Sequence, residues 1–257
     1  MEFELSKTTL QNLIDKNFDE IVVLKETQST SDLCKDLALK GTSSAIVVSE
    51  SQTKGRGRLN REFYSPKNKG VYLSLLLRPN LKMGDAFKIT SFCGVATANA
   101  IESLANVKVG LKWVNDLFIN SKKVGGILTE SAINAETRTL DYVIIGIGVN
   151  VYNDNYPDFI KNVATNIEKE SNKKIDKNEL IAKIVNNLNE LESAVISGNY
   201  LKEYTNRQVI LNKQVKVVLL NEEFYATAVG IDENGALIVN KNGELKTITA
   251  GDVSIRF

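Results

Sequence analysis

The segment best suited to bind anions is the stretch of residues 52–61, which reads QTKGRGRLNR. Gly55 and Gly57 let the backbone turn tightly and bring N–H groups close to a ligand. Arg56 and Arg58 carry planar forks of donors that match carboxylate and phosphate groups. The GxxxxGK[ST] pattern of a Walker A loop is absent. The loop therefore suits a substrate with two anionic groups, such as an acid and a nucleotide, although a solvated basic loop has the same composition.

A second group of residues suited to chemistry reads KWVND, followed in the chain by KVGGIL. Asp116 could orient an amine or accept its proton. Lys123 could act as a fixed point charge on a phosphate or carboxylate. The glycine pair at 125–126 admits close approach of a ligand to a strand. The alternative is a tryptophan in the core and an Asn-Asp turn.

Two further segments are ambiguous alone. The GIGVN run of residues 146–150 lacks the glycine at position 151 that the Rossmann fingerprint needs, so a dinucleotide site is rejected. Its small residues and Asn150 could instead pack against a purine. The TQSTS run of residues 27–31 offers a helix N-cap, and its remaining hydroxyls could bind a ureido or carbonyl group.

Composition excludes several classes of chemistry. The 257 residues include no histidine, so there is no Ser-His-Asp triad, histidine base or imidazole metal site. The net charge of +1 gives no global signal for nucleic acid or an anionic membrane. The only cysteines, Cys34 and Cys93, are interpreted as buried thiols in a reducing cytosol. Because the N-terminus lacks signal-peptide features and no apolar run is long enough for a bilayer, we expect a cytoplasmic protein with no metal site.

The elements that must position these groups are predicted from periodicity. Extended segments are predicted at Glu20–Lys25, Ala45–Ser49, Val71–Arg78, Leu111–Trp113, Leu117–Asn120, Val124–Ile133 and Tyr142–Asn150. Helices are predicted at Thr8–Asp15, at Ser31–Lys40 before a Gly41 stop, from an Asp85 N-cap to about Ala105, and at Leu180–Ile196. Closely spaced strands at Gln214–Leu220, Phe224–Ile231, Ala236–Val239 and Leu245–Thr249 predict a small barrel.

Taken in order, these segments resemble the catalytic core of the biotin–protein ligases. The resemblance rests on Ser29-Thr30-Ser31, Gln52 with Gly55-Arg56-Gly57-Arg58, Tyr72-Leu73-Ser74, Lys112-Trp113-Val114-Asn115-Asp116, Lys123 with Gly125-Gly126-Ile127-Leu128, and Gly146-Ile147-Gly148-Val149-Asn150. The run from Gly230 to Leu237 is similar to the small terminal barrel of that family. The likeness covers essentially the whole chain, and the combination of GRGR, KWxND and KxxGIL is highly specific.

The resemblance implies an α+β fold. A mixed central sheet flanked by helices would form a catalytic domain over residues 1–208. A small SH3-like β-barrel would follow over residues 209–257. Three departures stand out: Ser31 replaces a frequent Asn, Leu59-Asn60 replaces a more basic, glycine-containing stretch, and Val114 stands where Pro is common. The Leu59 change bears on how tightly the loop would close, and we expect residues 55–69 to be mobile until the ligand orders them.

The implied activity is a two-step ligation. The carboxylate of biotin attacks the α-phosphate of ATP, which enters with Mg²⁺, to give biotinyl-5′-AMP and pyrophosphate. A lysine amine on the biotin-carrier domain of a carboxylase then takes the biotin and releases AMP. By similarity, the catalytic residues are Arg56, Arg58, Lys123 and Asp116, with Asp116 handling the incoming amine.

The same resemblance implies the binding residues. The biotin-binding residues are Ser29, Thr30, Ser31, Gln52, Gly55, Arg56, Gly57, Arg58, Lys123, Gly126 and Ile127. The adenylate-binding residues are Arg58, Arg61, Trp113, Asn115, Lys123 and Asn150.

Other functions stay open beside this one. The nearest is a lipoate or octanoate ligase, and another is a non-catalytic biotin sensor. About 20 residues precede the first predicted strand, too few for a DNA-reading domain, so we expect a monofunctional ligase that binds neither DNA nor membrane. An exposed sheet edge could pair two chains as a homodimer.

Overall fold

A computed structural model describes residues 4–152, 155–219, 221–249 and 251–254. In chain order its helices are α1 (Lys7–Leu13), α2 (Thr30–Leu39), α3 (Ala86–Leu104), α4 (Ile167–Ser171), α5 (Lys177–Asn187), α6 (Leu191–Ser197) and α7 (Leu201–Asn206). Its strands are β1 (Glu20–Leu24), β2 (Ala45–Ser49), β3 (Gly70–Leu77), β4 (Gly110–Lys112), β5 (Asp116–Ile119), β6 (Lys122–Asn134), β7 (Thr139–Asn150), β8 (Gln214–Val218), β9 (Glu223–Ile231), β10 (Leu237–Lys241), β11 (Glu244–Ile248) and β12 (Asp252–Ser254).

The first seven strands form one sheet in the order β1-β2-β3-β7-β6-β5-β4. Only β1 and β2 are parallel, and every other neighbouring pair is antiparallel. The sheet is therefore mixed. Helices cover both faces, α2 against β2, β3 and β7, and α3 against β4, β5 and β6. The predicted α+β class is confirmed.

Alternation along the strands explains the two-sided packing. Val47 and Leu76 join Cys34 in the cluster beneath α2, whereas their neighbours Val48 and Leu75 belong to the main core. A period of two sends successive side chains to opposite faces, and both faces are buried because helices lie on each. The β-branched and leucine-rich runs of the sequence are typical of such strands.

Both cysteines are buried, as the sequence predicts. Burial raises the pKa of the Cys34 thiol to about 12 and raises the pKa of Cys93 further. Neither thiol is therefore a nucleophile at neutral pH, because the thiolate is the reactive form.

The C-terminal strands form a second sheet, in the antiparallel order β11-β10-β9-β8-β12. Its inward side chains, among them Val215, Phe224 and Leu237, belong to the same apolar cluster as the main core. The small sheet is thus packed on its neighbour, which supplies the apolar area that so few residues cannot bury alone. The division into domains at residues 208 and 209 stays a prediction.

An ion-pair network fixes the start of β4, which leads into the KWVND segment. Arg207 donates to both carboxylate oxygens of Glu102 at 2.8 and 2.9 Å and to the carbonyl of Val109 at 2.9 Å. Burial raises the pKa of Glu102, but hydrogen bonds from Arg207 and from the Val109 amide outweigh this and hold it below the usual value. The network joins α3, α7 and β4.

Several sequence-based boundaries differ from the structure. The predicted helix Leu180–Ile196 is wrong: it is two helices, α5 and α6, interrupted between Asn187 and Leu191. The apolar stripe continues through buried Leu188 and Leu191, so periodicity does not reveal the break. Asp85 stands at the start of α3 but makes no capping bond. The predicted strand end at Leu220 lies outside the described residues.

Within the described residues, no helix combines the length and the apolar character needed to cross a membrane.

The close approach of β6 to β7 generates a prediction about stability. A Cβ added at Gly125 would lie 2.5 Å from the carbonyl oxygen of Gly148, whereas one added at Gly84 would meet no atom within 4 Å. We expect Gly125→Ala to lower the free energy of unfolding by about 1–3 kcal/mol, because the sheet must separate to admit the methyl group.

Urea unfolding of the two variants measures the difference. Gly84→Ala is the matched control and should change stability by less than about 0.5 kcal/mol. Equal stabilities for the two variants would contradict the packing described for β6 and β7.

Candidate active site

Most of the sequence-predicted site residues meet in one cleft beside α2. The cleft is lined by Ser29, Thr30, Ser31, Gln52, Arg56, Gly57, Arg58, Arg61, Asn115, Asp116, Lys123, Gly126 and Ile127 from that set. They come from the start of α2, the loop after β2, the β4–β5 connection and β6. Segments far apart in the sequence are thus brought together by the sheet order.

One wall of the cleft is a buried network of hydroxyl and amide groups. The Thr30 hydroxyl lies 2.7 Å from Ser74 Oγ, and Ser31 Oγ lies 3.0 Å from the same atom. The Oε1 atom of Gln52 accepts from the Thr30 backbone N–H at 2.9 Å, and its Nε2 donates to Ser65 Oγ at 3.0 Å. The network fixes the orientation of these groups, as recognition of a neutral polar ligand requires.

Ser29 is the N-cap of α2, the role that the sequence offered for a hydroxyl of residues 27–31. Its hydroxyl accepts from the Asp32 backbone N–H at 3.4 Å and so caps α2. Gly41 ends the same helix with φ of +92°, a conformation that favours glycine. Both ends of the helix that presents Thr30 and Ser31 are therefore determined locally.

A strip of glycines forms the floor. Gly126 pairs with Gly148 across β6 and β7. A Cβ added at Gly148 would lie 2.4 Å from the Phe63 ring, and one at Gly146 would lie 2.9 Å from Ser31 Oγ. The glycines are needed because these side chains approach the strand closely.

A salt bridge lies beside this floor. Lys123 Nζ donates to Asp116 Oδ1 at 2.6 Å, with 38% of the lysine and 19% of the aspartate side chain exposed. The backbone of Lys123 bonds to both Val163 and Thr165, which fixes the position of its strand. The Asn115 amide donates to the Ile127 carbonyl at 2.9 Å and braces the turn that carries Asp116. The ammonium is thus positioned, yet open to the cleft.

The arginine-rich loop forms a further part of the cleft lining. Two backbone bonds, Gly57 N to Arg61 O and Phe63 N to Gly55 O, fold it back on itself at 2.8 Å each. Arg58 Nη2 donates to the carbonyl oxygen of Gly251 at 2.9 Å, so the loop touches the C-terminal sheet. Arg56, Arg58, Arg61 and Lys123 therefore surround the cleft, with Asp116 and Glu62 as the acidic lining residues.

Leu59 is the strained residue of that loop. Its φ of +55° lies in the left-handed region, which costs a residue with a Cβ more than it costs glycine. This is one of the positions at which the sequence departs from the more glycine-rich pattern of the resembled family.

Sequence reasoning did not name several of the groups that shape the cleft as site residues. Ser65, Ser74, Phe63, Glu62 and Gly251 all take part, either in the lining or in the buried network. Ser74 carries a signal, since it is a lone hydroxyl within the apolar run VYLSLLLR. The sequence offers no such signal for Gly251, because this residue comes from the region of the C-terminal sheet.

Comparison with known proteins assigns the family. The profile of the biotin/lipoate A/B protein ligase family matches residues 23–150, and that of the biotin protein ligase C-terminal domain matches residues 210–256. The bifunctional ligase/repressor BirA of Bacillus spizizenii is 33% identical over 239 residues, which cover 91% of this chain and 72% of that protein.

This chain belongs to the biotin/lipoate A/B protein ligase family. Another member, the biotin–[acetyl-CoA-carboxylase] ligase of Mycobacterium tuberculosis, is 27% identical over 91% of this chain and 88% of that protein. The biotin protein ligase of Aquifex aeolicus, solved in complex with biotin and ATP, superimposes with a TM-score of 0.77 at 28% identity. The alignment covers 93% of this chain and 99% of that one.

Three of the residues that the sequence assigns to the site lie behind the cleft: Gly55, Asn150 and Trp113. Gly55 packs against the Phe63 carbonyl and Ser65. Asn150 donates to the Thr165 carbonyl at 3.0 Å. Trp113 is 3% exposed and donates from Nε1 to the carbonyl oxygen of Gly235 at 3.0 Å, which links the main core to the C-terminal sheet.

The position of Trp113 generates the second prediction. We expect Trp113→Phe to lower the free energy of unfolding by about 1–3 kcal/mol, because it removes a buried hydrogen bond and packing volume at the contact with the C-terminal sheet. Affinity for an adenine nucleotide, the ligand expected of this residue from the sequence, should change less than about twofold.

Thermal unfolding and nucleotide titration of the same preparation measure both quantities. An unchanged stability with a large loss of nucleotide affinity would instead place the indole in contact with the ligand.

Proposed function

We propose that this protein is an ATP-dependent biotin–protein ligase. It converts biotin and ATP to biotinyl-5′-AMP and pyrophosphate, and then forms an amide bond between biotin and a lysine on the biotin-carrier domain of a carboxylase. The observation that carries the proposal is one cleft that joins a fixed hydroxyl-and-amide wall to a wall of cations. Biotin has a neutral ureido ring at one end and a carboxylate at the other, which fits such a cleft.

The polar wall supports binding of the ureido ring. Thr30, Ser31 and Gln52 present donors and acceptors whose positions the buried network fixes. Gly126 and Ile127 line the cleft, and the rest of the biotin molecule would lie beside them. Because these groups are preorganised, little side-chain entropy is lost on binding.

The cationic wall supports activation of the acid. A carboxylate and a triphosphate repel each other, so the reaction needs fixed positive charge where the two anions meet. Arg56, Arg58 and Lys123 would provide it, with Gly55 and Gly57 letting the loop backbone approach. Mg²⁺ would enter bound to the phosphates of ATP, as part of the substrate.

The nucleotide would extend past these cations. Arg61 and Asn115 line the cleft and would face the adenylate directly. Trp113 and Asn150 lie behind that surface, and they would act by shaping it. The Aquifex aeolicus relative in complex with biotin and ATP, and the Leishmania major relative in complex with biotinyl-5-AMP, support one continuous site for both substrates.

Asp116 would serve the second step. Its carboxylate accepts from Lys123 Nζ at 2.6 Å. When the Lys123 ammonium turns to the anion of the substrate, the carboxylate becomes available to orient the lysine amine of the carrier and take its proton. One salt bridge would thus be used in both half-reactions.

The proposal includes the setting of the reaction. We place the enzyme in the cytoplasm and propose that it acts without binding DNA, although some relatives are named as ligase and repressor. A gel shift on its own upstream DNA with tight, biotin-dependent binding would contradict that part.

ATP–pyrophosphate exchange tests the function directly. Purified protein with Mg²⁺ and one acid at a time, biotin, lipoate or octanoate, should exchange label only with biotin. Adding a biotin-carrier domain should then give one biotin per acceptor lysine. An acceptor with its lysine replaced by arginine is the control and should stay unlabelled.

Two results would overturn the assignment. Exchange with lipoate or octanoate in place of biotin would make the protein a ligase for those acids. Folded protein that binds biotin without any exchange would be a sensor.

A further inference from the structure

We propose that Asp32 and Glu130 are positioning residues for Arg56. They hold its guanidinium at the rim of the cleft so that its remaining donors face the substrate anion. The inference rests on the proposed ligase function, and it extends that function to two carboxylates outside the lining of the cleft.

Within the described part of the chain, the side-chain hydrogen bonds and ion pairs of Arg56 all involve its Nη2 atom. The Nη2 atom pairs with Asp32 Oδ1, and it also lies 3.5 Å from Glu130 Oε2. Asp32 belongs to the first turn of α2, and Glu130 belongs to β6. A loop residue is thereby attached to both of the rigid elements that flank the cleft.

The Nε atom of the same side chain supplies the second observation. Arg56 Nε is buried and has no hydrogen-bond partner among the residues that the structure describes, an uncommon state for a buried charged donor. A carboxylate or phosphate oxygen in the cleft is the natural acceptor for this N–H. Among the described residues, the two carboxylates contact Nη2 alone, which leaves Nε and Nη1 as the donors for a substrate anion.

In this arrangement the two carboxylates orient Arg56 and do not compete with the substrate for the donors that it needs. If the two acids competed with the substrate, they would contact the donors that the substrate needs. The three side chains are partly exposed, at 33% for Arg56, 52% for Asp32 and 37% for Glu130, so each pair is weak and can only bias orientation. The expected effect is therefore modest and specific to Arg56.

The test measures how fast biotinyl-5′-AMP leaves the enzyme. Adenylate formed on the full-length protein from labelled ATP is chased with unlabelled substrates, and release is followed over time. Asp32→Asn should speed release by up to about fivefold, the upper size expected for loss of one exposed charge pair, and Glu130→Gln should act in the same direction.

The matched control is Asp141→Asn. Asp141 also has 52% of its side chain exposed and pairs with an arginine, Arg78, at 3.1 Å. It should leave release unchanged, and all variants should retain the thermal midpoint of the wild type.

A double-mutant cycle separates positioning from a general structural effect. In an Arg56→Ala background, Asp32→Asn should cause no further change in release, because its only route of action is gone. Additive effects, unchanged release or slower release would each overturn the inference, and slower release would show a competitive lock. Wild-type protein without biotin-dependent exchange would refute the proposed function itself, a result that is distinguishable from failure of the variants alone.

Discussion

The salt bridge between Lys123 and Asp116 is the interaction on which the organisation of this site depends. It lies where β5 meets β6, and the 2.6 Å contact joins the amine and carboxylate that serve the proposed half-reactions. The sheet order, the glycine strip and the bracing amide of Asn115 all act to place it at the wall of the cleft. The constraint is electrostatic: two anions must meet, so fixed cations must be present before they arrive.

Because the sequence contains no histidine, the fixed positive charge of the site comes from lysine and arginine. Lysine and arginine remain charged at neutral pH, so the site needs no protonation event to become positive. Each cation is held by a neighbour that leaves part of it open: Lys123 by Asp116, Arg56 by two carboxylates and Arg58 by a backbone carbonyl. Such contacts orient positive charge without filling the cleft.

The local elements of this fold could be predicted because their signals are local. The apolar runs indicate the strands, Gly41 indicates the end of α2, and the Asn120-Ser121 turn into β6 has the positive φ values expected of it. The break between α5 and α6 could not be predicted, because the buried stripe runs through Leu188 without interruption.

The site could be predicted only in part, for a related reason. A motif gives the residue types and their order, but not the side of the strand or turn on which each one lies. Trp113 and Asp116 belong to one motif, yet the indole packs on the C-terminal sheet and the carboxylate lines the cleft. The contact of Arg58 with Gly251 joins residues almost two hundred positions apart, and only tertiary structure reveals it.

The most direct test of this account compares two ligands that differ in one charge. Calorimetric titration with biotin and with its neutral carboxamide measures the preference for the acid, in the wild type, in Lys123→Gln and in the neighbouring control Lys122→Gln. The account predicts a preference for the acid in the wild type and in the control, and loss of most of that preference in Lys123→Gln. An unchanged preference in Lys123→Gln would contradict the claim that a preformed cation beside Asp116 receives the substrate anion.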